Sequence, residues 1–325
     1  MPIVVNSNVS ATEASFNLSR ANDSLRKSLT RLSSGKRINS PADDAGGLAV
    51  AYKLDSKLNR TEAVIQNSQN ALSFLQVQDG ALRTVGKILD RMAELRTMAQ
   101  DVTKNSGDIE NYSKEFVELQ GQLNQVKEEK FNGISLFATS NDTLQNGGNT
   151  AANAGQYTDV NGVSLNYNKF GHTLFTAASG QAVDGSISLN VVNLQFVLSV
   201  GNLSGNNTAT NNVNLGGFAN TGGGISSSGF ISNILDVSIG QFTESIERLA
   251  DMRAENGAEQ NRVMNSIDLL QTNMTNLEAA HGRIMDADIA LESTRFARHN
   301  VLVQASAAMT AQANQLTNVA LALLG

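Results

Sequence analysis

From Phe242 to Ile284 one face of the chain steps by four and three residues without a skip. The positions are Phe242, Ile246, Leu249, Arg253, Asn256, Gln260, Val263, Ile267, Leu270, Met274, Leu277, His281 and Ile284. Such a run specifies a long helix whose stripe must be covered by another helix, which restricts the chain to a coiled-coil-like architecture. Arg253, Asn256 and Gln260 form a polar layer within the stripe, weakening the seam while helping to set its register.

The first half of the chain supplies matching helices. Leu58, Ile65 and Leu72 form one heptad series and Leu75, Leu82 and Leu89 another, predicting a helix from about 42 to 103. A further helix is expected over about 109–130, with Phe116, Leu119, Leu123 and Val126 on one face. At the start, Ala11, Ala14, Leu18, Ala21, Leu25 and Leu32 keep the same spacing, with Ser28 the gap; at the end, Leu302, Ala305, Met309, Leu316, Val319 and Leu323 form a last stripe. Both outer stripes are short and the first is alanine-rich, so they are expected to order by packing on each other and on further copies.

Between the first two helices lies a joint, residues 33–47. Gly35 suits a left-handed C-cap, Ser40 an N-cap, Pro41 the first helical position and Asp43 the return half of a capping box. The centre, about 141–235, is rich in Asn, Gly, Ser and Thr. There Val192, Leu194, Phe196, Leu198 and Val200 alternate with the period of a strand, and Asn-Gly pairs at 146–147 and 161–162 signal turns. This predicts a mainly α fold of long antiparallel helices from both chain ends, carrying a small β-rich central insertion.

Composition narrows the function. The 325 residues include no cysteine and no tryptophan, excluding disulfides, thiolate metal sites and a cysteine nucleophile. A net charge of −6 argues against nucleic-acid partners. Charge is absent from 185–235 and again from 300–325. The C-terminal stretch is broken by Gln304, Thr310, Gln312, Asn314, Gln315 and Asn318, so it reads as amphipathic and not as a membrane span. No basic-then-apolar leader opens the chain.

Catalytic patterns are missing: no HExxH, GxSxG or Walker-type loop occurs, and His172, His281 and His299 are scattered. The acidic pairs Asp43/Asp44 and Asp286/Asp288 read as helix caps or ion-pair partners before acid–base groups. A non-enzymatic, self-associating protein without cofactors is expected.

Four motifs carry a family resemblance. Residues 32–48, LSSGKRINSPADDAGGL, resemble the joint motif of bacterial flagellin; FNGISLF at 131–137, RIMDAD at 283–288 and AQANQ at 311–315 resemble its other signatures. Gly46 and Pro41 stand where alanine is common, and the end at Leu324-Gly325 departs slightly. The resemblance covers about 1–140 and 236–325. It implies a subunit exported unfolded by the flagellar type III apparatus, polymerising into an extracellular filament. Residues 1–44 with 286–325 would be inner-core helices, 45–140 with 236–285 a helical wall, and 141–235 a surface insertion.

The resemblance also implies residue roles. Leu18, Leu25, Leu32, Leu302, Met309, Leu316 and Leu323 would serve self-assembly, and Gly35, Arg37, Asn39, Ser40, Asp43 and Asp44 the joint. Implied partners are further copies of the chain, hook-associated junction and cap proteins, and an export chaperone. Leu89, Arg91, Leu95 and Glu118 are similar to the segment sensed by the flagellin-binding Toll-like receptor, although Asp90, Ala93 and Arg96 depart from it. A hook–filament junction protein shares this terminal architecture and is the structural alternative. A peptidase within the insertion is the enzymatic one.

Overall fold

The computed structural model describes residues 8–138, 153–158, 164–200, 213–214 and 231–324, except for the side chains of 153–158, 164–170, 195, 200, 213–214 and 316–324. In chain order the elements are α1 (Val9–Ser34), α2 (Ala45–Ala99), α3 (Ser106–Lys127), β1 (Lys130–Phe131), β2 (Ile134–Ser135), β3 (Phe137–Ala138), β4 (Asn153–Thr158) and β5 (Ser164–Phe175). They continue with β6 (Ser186–Asn193), α4 (Leu194–Val197), β7 (Ser199–Val200), β8 (Val213–Asn214), α5 (Ile239–Met285) and α6 (Ile289–Leu324). The fold is the expected one: long helices from both chain ends and a small strand-bearing centre. Two compact units can be separated, residues 1–60 with 273–325, and residues 61–272.

In the first unit α1 and α6 pack antiparallel, with Asn8 Nδ2 donating to Ala313 O at 2.9 Å. The α1 positions named from spacing all turn inward, and Ser28, the apparent gap, is 4% exposed. A serine there lets the two backbones approach closely. The inward stripe of α6, however, is Glu292, Phe296, His299, Val303, Ser306, Thr310 and Ala313, which also follows four–three spacing. Of the more apolar stripe read from the sequence, Leu302, Ala305 and Met309 face outward. Near the joint, Ile38, Ala51 and Met285 form a small core, flanked by Leu48 and Ile284.

The second unit is built on residues 61–99 of α2. Leu75, Leu82, Val85, Leu89, Met92 and Leu95 are fully buried there. Phe116 of α3 meets Phe242 of α5 edge-on, ring centroids 6.2 Å apart. No position of the four–three run from Phe242 to Ile284 is exposed. α3 begins three residues earlier than its periodicity predicts, because Asn105 and Asp108 close a capping box ahead of the first apolar position.

The chain leaves α3 through a tight hairpin of β1 and β2, where Asn132 (φ 50°) and Gly133 (φ 82°) both take the left-handed conformation that a two-residue turn requires. A four-stranded sheet follows in the order β3-β6-β5-β4, with β3 parallel to β6 and the other pairs antiparallel. Thr158 pairs with Ser164 across the Asn-Gly pair at 161–162. That pair, like 146–147, lies outside the described residues.

One strand expectation is corrected. The run 192–200 is not a strand throughout, because Asn193 Oδ1 accepts the Phe196 N–H at 3.2 Å and caps the short helical turn α4. Leu194, Phe196, Val197 and Leu198 are all buried, so period-two exposure has no meaning there.

The polar layer predicted in the long seam is where sheet meets helices. Asn256 Nδ2 donates to Gln78 Oε1 at 2.6 Å, Gln260 donates to Asn256 at 2.6 Å, and Gln78 Nε2 donates to Leu136 O at 2.8 Å. Glu259 accepts the Asn190 N–H at 2.9 Å, and Arg253 grips Asp79 through two bonds of 2.9 and 3.4 Å. Arg248, 2% exposed, donates to Ser199 O at 2.5 Å and lies over the Phe196 ring. His172 sits edge-on to Phe74, and burial pulls its pKa below the ordinary value.

Candidate functional site

The joint is assembled from both ends of the chain. Gly35, at φ 69°, closes α1 by donating its N–H to Arg31 O at 2.9 Å, while its own carbonyl accepts the Ala287 N–H at 2.9 Å. Lys36 and Asp286 form an antiparallel bridge, and the Arg37 N–H reaches Met285 O at 2.6 Å. The Arg37 guanidinium donates twice to Ile284 O, at 2.8 and 3.2 Å. A cation thus satisfies an orphan carbonyl at the negative end of α5.

On the far side of the joint, Asp43 Oδ2 accepts the N–H groups of Asn39 and Ser40 at 3.2 Å each, and its Oδ1 pairs with Lys27 Nζ at 2.6 Å. The Lys27 bond, aided by those two N–H groups, holds the Asp43 pKa down at about 2 despite partial burial. Asp43 therefore makes the return bond expected of it, but Ser40 does not start the helix. Residues 41–43 form a separate turn, and Asp44 caps α2 by accepting the Gly47 N–H at 2.8 Å. A Cβ at Gly47 would collide with that same carboxylate, so the cap dictates the glycine. Asp288 caps α6 in the same way, through the Leu291 N–H at 3.0 Å. Each of the six joint residues named from the sequence lies in this structure; the carbonyls of Ile284 and Met285 and the side chain of Lys27 were not foreseen. A backbone acceptor leaves no residue-type signal.

The residues assigned to self-assembly divide in two. Leu18, Leu25 and Leu32 are half-buried against α6, whereas Leu302 is 46% and Met309 65% exposed. Leu316 and Leu323 lie on α6, but their side chains are outside those described. Phe16, on α1, is 63% exposed and was missed because it stands off the main stripe.

Of the receptor-similar residues, Leu89 and Leu95 are fully buried. Arg91 is on the surface, bonded to Glu115 at 2.8 Å and Glu94 at 3.2 Å. Glu118 is exposed and makes no bond to Arg91.

No helix among the described residues is long and apolar enough to cross a membrane, and no group of three or more metal-ligating side chains occurs among them. What the geometry offers is a hinge-like joint beside a helix pair with unpaired apolar side chains.

Residues 5–142 match the family model for the bacterial flagellin N-terminal helical region, and 239–324 that for the C-terminal helical region. The flagellin of Bacillus subtilis strain 168 is 30% identical over 327 residues, covering 98% of this chain and 99% of that protein. The chain belongs to the bacterial flagellin family.

Polar flagellin F of Vibrio parahaemolyticus is 28% identical over the whole of both chains. A solved structure of a putative flagellar hook-associated protein from Vibrio parahaemolyticus matches with a TM-score of 0.53 at 14% identity, covering 75% of this chain and all of that one. This last likeness is one of fold alone. End-to-end similarity to flagellins favours the filament subunit over the junction protein. This flagellin is a structural protein of the flagellar filament.

Proposed function

We propose that this flagellin polymerises through the α1–α6 pair, with the outward stripe of α6 buried between copies. The supporting observation is the exposure of Leu302 and Met309 on a stretch, 300–325, that carries no charge. An unpaired apolar stripe on an uncharged helical stretch is covered favourably by another copy of itself. Residues 1–44 with 286–325 then act as the filament's inner core, 45–140 with 236–285 as its wall and 141–235 as the displayed surface. The joint, through Gly35, Arg37, Asn39, Ser40, Asp43 and Asp44, orients the inner helices.

The chain is exported unfolded through the flagellar type III apparatus and works outside the cell, without enzymatic activity or cofactor. Its partners are an export chaperone and the junction and cap proteins at the filament ends. Recognition by the flagellin-sensing Toll-like receptor falls to Arg91 and Glu118, the two exposed members of the similar segment.

Purified chains lacking 1–35 or 300–325 test the assembly reading. Electron microscopy should show no filaments, while circular dichroism retains the helicity of 61–272. Filaments from either truncation would overturn it.

A further inference from the structure

The two compact units carry opposite charge. Residues 1–60 with 273–325 hold twelve Lys and Arg against nine Asp and Glu, leaving twelve against twenty-one in 61–272, net charges of +3 and −9. Each unit presents charge of its own sign on one helix face. On α2, Lys53, Lys57 and Arg60 follow four–three spacing, all exposed, beside Val50 at 47% exposure. On α5, the face turned away from the seam shows Glu247, Asp251 and Asp268, with Leu269 at 61% exposure and Arg262 as its one interrupting base. Among the described residues, Lys53, Asp251 and Asp268 make no ion pair within the chain.

Resting on the filament reading, we propose that the basic face of α2 (Val50, Lys53, Lys57, Arg60) docks on the acidic outward face of α5 (Asp251, Asp268, Leu269) of a second copy. Made head to tail, such a contact is heterologous, and its repetition without closure gives an open helical polymer. Pairing the acidic faces of two copies, or their basic faces, would set like charge against like, so the charge division favours basic-on-acidic contact.

Seeded elongation of the full-length chain, followed by light scattering at about 50 mM salt, tests this. Lys53→Glu with Arg60→Glu should slow elongation about tenfold, and so should Asp251→Lys with Asp268→Lys. All four together, on seeds of the same variant, should restore the rate to within about threefold of the parent. Thermal unfolding of each monomer confirms folding, and Lys53→Gln with Arg60→Gln replaces any reversal that does not fold. Parent-like elongation of either double variant, or a fourfold variant as slow as the doubles, overturns the proposal. Failure of the parent chain to elongate would instead sink the filament reading beneath it.

Discussion

Asn256 on α5 donates through Nδ2 to Oε1 of Gln78 on α2 at 2.6 Å, and Gln78 in turn donates to the carbonyl of Leu136 at 2.8 Å. Both side chains are almost wholly buried. One buried amide therefore ties the long seam to the residue just before β3, which explains polar residues at positions where leucine would pack better. Replacing Gln78 by Ala strands the Leu136 carbonyl and the Asn256 amide. The expected loss is about 2–3 kcal/mol, read as a lower midpoint in urea unfolding.

Seam and outward stripe should respond differently to the same insult. Leu270→Asp places a charge at an 8% exposed position and should destabilise the monomer by about 3 kcal/mol or more. Met309→Asp, at a 65% exposed position, should change monomer stability by less than about 0.5 kcal/mol yet prevent filament formation. Calorimetry beside electron microscopy separates the two, and filaments from Met309→Asp would refute the stripe's role.

Gly35 holds φ 69° while linking α1 to Ala287. There is open space around its Cα, so Gly35→Ala meets no clash and only the left-handed backbone is penalised, by about 1 kcal/mol. Thermal unfolding should show that modest loss. A loss several times larger would mean that the added methyl meets a neighbour.

Asp43 sets a pH limit on the joint. Its pKa, about 2 when folded, lies below the ordinary 3.8, so its contribution is whole above about pH 4 and disappears as pH falls through about 2. Helical ellipticity of the native chain and of Asp43→Asn should differ by a constant amount from neutrality to about pH 4 and converge near pH 2. Convergence already near pH 4, or no difference at neutrality, would show that Lys27 does not hold the carboxylate.

Deleting 150–230 should leave filaments intact, since the outward stripe of α6 and the joint lie wholly outside that span. Failure of that variant to assemble, seen by electron microscopy, would mean that the insertion supplies lateral contacts.

The sequence by itself determined what repeats and what is local. Four–three spacing from Phe242 to Ile284 needed a covered face, and none of its positions is exposed. The Gly35 N–H bond to Arg31, the Asp43 bonds to Asn39 and Ser40 and the Asp288 bond to Leu291 join residues close in sequence, so these caps follow from residue type and spacing. Tertiary structure decided the partners. Periodicity cannot choose between two stripes on one helix, and the chain turned the more polar side of α6, with buried Ala313, toward α1, whose Ser28 is buried. Spacing could not show that Asp44, not Ser40, caps α2, because both are acceptable cap residues and residues 41–43 turn before the helix begins. Nor could it show that Arg91 would bond Glu115 and Glu94 and not Glu118. Ion pairs between helices are set by the register of packing, which is fixed by burial of the whole face and by no single pair along it.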